Sequence, residues 1–143
     1  MAFSRKFHGV QNGYRSGLEE KVAEELKGKG VGFKFESFKV PFEKPATICR
    51  YTPDFLLLSN GIIIETKGRF TTADRKKHLL IQEQHPELDI RFVFSSSKGR
   101  ISKKSQTTYA MWCEKNGFLY ADRSIPDEWL TEETQNDRRS LQS

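Results

Sequence analysis

Pro53-Asp54 is followed, after ten intervening residues, by Glu65-Thr66-Lys67. Two carboxylates and a lysine at that spacing suit hydrolytic chemistry on a phosphate ester. Carboxylate oxygens hold a hard divalent cation such as Mg²⁺, together with backbone carbonyls, waters and a substrate phosphate. The ammonium can position an attacking water or stabilise charge on the phosphate. A salt-bridged structural triad would use the same residue types. Either way the charges need a reason, because they sit among Leu and Ile and an unpaired buried charge is costly.

The elements between them decide whether they meet. Tyr51 to Leu58 reads as one strand and Ile62 to Lys67 as its return, apolar enough for mid-sheet. Asn60-Gly61 between them is the strongest short hairpin signal. Taken as a two-residue turn, it sets Ser59 opposite Ile62, Leu56 opposite Glu65 and Asp54 opposite Lys67. Residues two apart on a strand share a face. Asp54, Glu65 and Lys67 should then project from one side. A turn of three residues would send Asp54 to the other.

Glu19 is the next candidate. Ser16-Gly17-Leu18-Glu19 has the form of a capping box opening a helix to about Lys27, with Gly28 and Gly30 beyond it. Capping alone would account for the acid. On a wheel of about 100° per residue from Leu18, however, Glu19 falls at about 100°, between Val22 at about 40° and Ala23 at about 140°. It faces inward, as a metal-site carboxylate would, whereas Glu20 and Glu24 fall outside that arc. His78 and His85 lack ligand spacing to each other or to cysteine and read as surface or phosphate-contacting groups on an exposed helix.

The remaining order is helix, strand, hairpin, helix, strand, helix, strand. Phe33 to Val40 supplies an early strand, and Pro41 to Pro45 an extended connector poor in donors. Thr71 to Asp74 is a second capping box, opening a helix that ends before Pro86. Ile90 to Phe94 is a strand, Thr107 to Lys115 a helix, and Phe118 to Ala121 a short strand. A helical turn holding Trp129 and a polar, frayed tail from Thr131 complete the chain. A hairpin within alternating units predicts an α/β fold, a mixed sheet with helices packed on it.

The 143 residues fit one domain, with a basic arm over residues 1–15. No apolar run approaches the ~18 residues of a membrane span, and Met1 to Arg15 has no signal-peptide core. Cys49 and Cys113 are too few for a disulfide framework and read as reduced thiols. Net charge is +5, with basic residues concentrated between Lys67 and Lys104. That cluster and the arm suit a polyanion. Arg69, Arg75, Lys76 and Lys77, nearest the hairpin, are the foremost phosphate contacts, followed by Lys98, Lys103, Lys104, Arg15 and Ser16.

Pro53-Asp54…Glu65-Thr66-Lys67 matches the PD-(D/E)xK nuclease signature. Longer strings, among them Arg15 to Glu19, Tyr51 to Leu57, Asp74 to Ile81 and Glu83 to Arg91, closely resemble the endonuclease I family of T-seven-like bacteriophages. The resemblance spans about residues 15–130. It implies a restriction-endonuclease-like mixed sheet and a Mg²⁺-dependent enzyme of the infected host's cytoplasm that resolves four-way (Holliday) and other branched DNA junctions, with Mn²⁺ as a substitute ion. Carried over by position, Glu19, Asp54, Glu65 and Lys67 form the catalytic set. Asp54, Glu65 and the Thr66 carbonyl would hold one ion, and Glu19 and Asp54 a second. The resemblance also implies an intertwined homodimer. Residues 16–40 would be exchanged, 41–45 would be the bridge, 46–130 the catalytic core and 131–143 a polar tail. The tail departs from the family's basic pattern in carrying five acids from Asp127 on. The rival reading is a non-catalytic nucleic-acid-binding module in which Asp54, Glu65 and Lys67 are an ion network.

Overall fold

The computed structural model describes residues 13–44 and 47–142. A five-stranded sheet runs in the order β1 (Phe33–Phe35), β4 (Phe55–Leu57), β5 (Ile63–Lys67), β6 (Ile90–Phe94), β7 (Tyr120–Asp122). β1, β4 and β5 are antiparallel neighbours, whereas β5, β6 and β7 are parallel. The helices are α1 (Gly17–Gly28), α2 (Thr72–Gln84), α3 (Tyr109–Asn116), α4 (Asp127–Thr131) and a terminal turn, α5 (Arg139–Gln142). The mixed sheet with flanking helices is the architecture expected from the sequence.

Strand alternation builds two cores, because successive side chains leave opposite faces. Phe55, Leu57, Ile62, Ile64 and Val93 pack with Val22, Ala23 and Leu26 of α1 and Trp129 of α4. Leu56, Ile63, Phe92 and Phe94 pack with Ile81 of α2 and Trp112 and Cys113 of α3. The sheet is therefore the middle of three layers. Cys113 is fully buried, which pushes its thiol up to about 12, and Cys49 is half-buried; both are free thiols. Among the described residues no helix is long and apolar enough to cross a membrane.

Three expectations need correction. The strand from Tyr51 to Leu58 is broken at Pro53: Tyr51 ends β3 (Thr47–Tyr51), and the sheet strand restarts at Phe55. Pro41 to Lys44 is not a bare connector. It lies in β2 (Val40–Lys44), paired with β3 in a separate two-stranded ribbon, Pro41 opposite Arg50. The Pro41 carbonyl meets the His85 ring, so its polar side faces away from β3 and the missing donor disturbs no ladder bond. Pro45 itself lies outside the described residues. Finally, the turn is longer than two residues: Phe55 pairs with Ile64 and Leu56 with Ile63, leaving a four-residue loop over 58–61. The register slips by two, so parity is kept, and the residue that falls across from Asp54, just before β4, is Glu65 rather than Lys67.

The tail is not frayed, because it grips that loop. Asn60, fully buried, donates from Nδ2 to the Trp129 and Glu132 carbonyls at 2.8 and 3.1 Å and accepts from the Ile62 N–H at 3.1 Å. Thr134 Oγ1 donates to the Ser59 carbonyl at 2.8 Å and Gln142 Nε2 to the Leu58 carbonyl at 2.9 Å. Arg138, 1% exposed, lies 3.2 Å from Asp89 and 3.6 Å from Glu132, and Arg91 shares both acids. Gly61 adopts φ +77°, and an added Cβ would stand 2.6 Å from Arg138 Cβ. Composition hid this, because the docking uses charged and backbone groups. Of the proposed arm, residues 1–12 lie outside the described region, while Tyr14 is buried against Phe35 and Phe55.

Asn60→Ala removes three hydrogen bonds and strands buried polar groups. It should lower unfolding free energy by about 2–4 kcal/mol. Urea denaturation followed by circular dichroism measures this, and a loss below about 0.5 kcal/mol would show the loop is not held by its asparagine.

Candidate active site

The site lies at the carboxyl end of β5, at the far end of the β4–β5 hairpin from the clamped loop. Glu65 and Lys67 leave β5 on the α2 face, with Ile63. Asp54 does not share that face through a strand pair: it is a bend just before β4. Its backbone N–H donates to Glu65 Oε2 at 2.9 Å, while its Oδ2 accepts from Thr66 N and Thr66 Oγ1, both at 2.9 Å. A strand N–H points along the sheet. The Asp54 carboxylate therefore caps the sheet's edge and joins its two faces. Pro53 explains why the strand yields here, since it cannot extend the β3–β4 run as a donor.

On the other face stands Glu19 of α1, inward-facing as the wheel indicates. Ser16 caps α1, its Oγ accepting from Glu19 N at 3.1 Å. The capping box is altered: Glu19 Oε1 accepts from the N–H of Arg15, not Ser16, at 2.8 Å. Glu36 completes the group, although no sequence motif marks it. It follows β1, sits at φ +46°, and donates its N–H to the Asp54 carbonyl at 3.1 Å. Only the β1–β4 pairing, Phe35 opposite Phe55, brings it there. One oxygen from each of Glu19, Glu36 and Asp54 lies within 4.8 Å of the others.

Electrostatics follow from this crowding. Burial, then the neighbouring Asp54 charge, raises Glu65 to about 8, against the opposing pull of Lys67, the Tyr51 hydroxyl and the Asp54 N–H. Burial is also the largest influence on Glu19, raising it, with Asp54 and Glu36 adding to the effect and the Arg15 N–H opposing it. Lys67 Nζ lies 3.9 Å from Glu65 Oε1 and 3.4 Å from Asp74 Oδ1. Asp74 is the N3 acid of a complete capping box with Thr71. Burial would raise its carboxyl, but Lys67 and the Thr71 donors prevail and lower it. Buried carboxylate oxygens in excess of nearby cations form a hard-cation donor set. Glu19, Glu36, Asp54 and Glu65 fit a divalent ion in that respect. The Thr66 carbonyl points the same way as its N–H, toward Asp54, because the Lys67 carbonyl points to β6, where it accepts from Ser95 N at 3.1 Å.

Several other expectations change. His78 is not on a surface: it is fully buried between Tyr51 and Phe92, and burial, reinforced by Lys67 and Lys77, holds its ring well below the usual range. Arg75, expected among the phosphate contacts, is buried and donates to the Phe70 carbonyl at 2.6 Å and Thr72 Oγ1 at 3.0 Å. Both lie on the inward face of α2, which three lysines or arginines in a row disguise as polar. Glu20, outside the apolar arc, is nevertheless buried, in a cleft shared with Lys21, Ser95 and Arg123. Arg69, Lys76, Lys98, Lys103 and Lys104 are exposed, and Lys77 half-buried. Arg15 is exposed but pairs with Glu36 at 2.6 Å, and the Ser16 hydroxyl is engaged as the cap.

Asp54, Glu65 and Lys67 thus meet at the carboxyl end of β5, and relatedness supplies the class of protein. The family model for phage endonuclease I matches residues 1–141. Endonuclease I of Escherichia phage T7 is 57% identical over 119 residues, covering 83% of this chain and 79% of that protein. Endodeoxyribonuclease 1 of Enterobacteria phage T3 is 58% identical over 113 residues, 79% of this chain and 74% of that protein. The chain is a nuclease. It belongs to the phage endonuclease I family.

Glu65 binds a proton in the folded protein between its ordinary value of 4.5 and about 8, where the unfolded chain's carboxyl is already ionised. Its contribution to stability is complete below 4.5 and is lost as pH rises to about 8. In EDTA, the melting temperature of the wild type should fall across this window and that of Glu65→Gln should fall less. Parallel melting curves over the window would place the proton elsewhere.

Proposed function

We propose that this protein is a structure-selective DNA endonuclease that resolves four-way and other branched junctions by metal-dependent phosphodiester hydrolysis, with paired nicks from a symmetric homodimer in the infected host's cytoplasm. The observation supporting the reading is the meeting of Glu19, Asp54, Glu65 and Lys67 at one sheet edge in a chain of the phage endonuclease I family. The relatives' names, endonuclease and endodeoxyribonuclease, support DNA as the substrate.

In this mechanism Asp54, Glu65 and the Thr66 carbonyl would hold one Mg²⁺, and Glu19 and Asp54 a second, with Glu36 beside them and Mn²⁺ able to substitute. The bound cation supplies Lewis-acid stabilisation of charge on the phosphate. Thr66 fixes Asp54 through two hydrogen bonds, and the Asp54 N–H fixes Glu65, so the donor oxygens are aimed before substrate arrives. Lys67, braced by Asp74, offers its ammonium to the phosphate or to the attacking water. The exposed Arg69, Lys76, Lys98, Lys103 and Lys104 would take DNA phosphates, making affinity fall steeply with salt. Selection would rest on branched shape rather than base edges.

A labelled immobile four-way junction should be cut by symmetric paired nicks in Mg²⁺ and left intact in EDTA, with its matched linear duplex spared. Equal cutting of the duplex would remove junction selectivity, and tight binding without cleavage in Mg²⁺ or Mn²⁺ would favour the binding module.

The exchanged dimer is part of the same proposal. Within one chain Glu19 and Asp54 meet although the β2–β3 ribbon separates them in sequence. Two copies exchanging residues 16–40 would form the same contacts between chains. Glu19→Ala and Asp54→Ala chains, each inactive, should regain one working site per dimer when co-folded. Verified heterodimers that stay inactive would count against exchange.

A further inference from the structure

Tyr51 and His78 are buried beside Glu65, and neither has a task in the chemistry above. Tyr51 closes β3, 2% exposed, and its hydroxyl donates to Glu65 Oε2 at 2.7 Å. The same oxygen accepts the Asp54 N–H at 2.9 Å. Glu65 Oε1 is treated differently. Lys67 Nζ is 3.9 Å away and His78 Nε2 3.8 Å, both beyond hydrogen-bond reach. The two carboxylate oxygens are thus unequal, one doubly anchored and the other presented.

Glu65, once ionised to receive a cation, would rotate away from the Asp54 carboxylate if free to do so. The Asp54 N–H alone leaves that rotation open, because one hydrogen bond is an axis. A second donor on the same oxygen removes it. Tyr51 is itself held: its ring meets the His78 ring edge-on at 5.3 Å and 83°, and Lys77 Nζ stands 5.6 Å from its centroid. The buried nitrogens of His78 make no hydrogen bond, so His78 acts as a wall that wedges Tyr51 without competing for Glu65 Oε1.

We propose that Tyr51 is a positioning residue for metal binding: by anchoring Glu65 Oε2 it presents Glu65 Oε1 to a divalent cation. The inference rests on the reading of Glu65 as a metal ligand. It also gives the β2–β3 ribbon a role, since that ribbon delivers the tyrosine. Ligand-orienting partners of this kind typically change metal affinity by about 10–100-fold.

The test is Tyr51→Phe, which keeps the ring and removes only the hydroxyl. Mn²⁺ binding to DNA-free protein, measured by calorimetry, should weaken by about 10–100-fold. Junction affinity in EDTA should stay unchanged, and raising Mg²⁺ should recover most of the single-turnover cleavage rate. In a Glu65→Gln background the same substitution should have no further effect on Mn²⁺ binding. Mn²⁺ affinity within about twofold of wild type, or an equal loss in the Glu65→Gln background, would overturn the inference. The outcomes separate from those of the metal-site reading: wild type whose Mn²⁺ binding ignores Glu65→Gln would overturn that reading and this inference together, whereas Glu65-dependent binding with a neutral Tyr51→Phe overturns only the inference. Should Tyr51→Phe unfold, His78→Phe, which keeps the wall, gives the control: Mn²⁺ binding close to wild type is expected, and a loss as large as that of Glu65→Gln would overturn the assignment of orientation to Tyr51.

Discussion

Asp54 and Glu65 bring two carboxylates into the interior of one sheet, where Glu65 cannot keep its charge unaided. Much of the local structure answers that conflict. The break before β4 frees the Asp54 N–H to bond Glu65 instead of a strand partner. Thr66 turns its backbone and its hydroxyl to the same Asp54 oxygen. Lys67 is near enough to both Glu65 and Asp74 to temper either, and the tyrosine at the end of β3 closes the remaining side. A hydrophobic pair in these positions would pack with less strain. Under the proposed function the repulsion has a purpose, since a bound cation and a substrate phosphate would relieve it.

The hairpin that carries these acids is held at both ends by different means. Its site end is held by hydrogen bonds between short-range partners, and its loop end by residues from far along the chain. Asn60 and Gly61 are therefore more than turn residues. One supplies two hydrogen bonds to the C-terminal segment and a third within its own loop, and the other leaves room for Arg138. The middle is held by β6, whose parallel pairing fixes β5 independently of the loop. This division keeps the carboxyl end of β5 open, as is usual for a binding edge in sheets with parallel strands.

Glu65 and Lys67 were legible in the sequence because residues two apart on a strand share a face whatever the loop length, whereas Asp54 meets them through the bend before β4 rather than through strand parity. Glu19 was legible because burial of a helical acid shows on a wheel. Three kinds of feature were not. Glu36 reaches the site only through the pairing of β1 with β4, which no local pattern encodes. His78 and Arg75 sit among charged neighbours, so their burial shows only when α2 is laid on the sheet. The tail docks through backbone carbonyls and ion pairs, with Leu141 packed on the core, so its polar sequence carries little hydrophobic signal. Pro41 was misjudged in the opposite direction, because the rule against proline applies to interior strands and a two-stranded ribbon has only edges.

The two thiols are chemically unequal in a way that makes the protein self-selective toward labels. Cys113 is sealed between α3 and the sheet and resists ionisation, so it offers no thiolate to an alkylating reagent. Cys49 stands half-open on the ribbon that leads into Tyr51. A maleimide probe applied to the folded wild-type chain would therefore mark a single position, on the strand that delivers Tyr51 to Glu65, with no cysteine having to be engineered in or out.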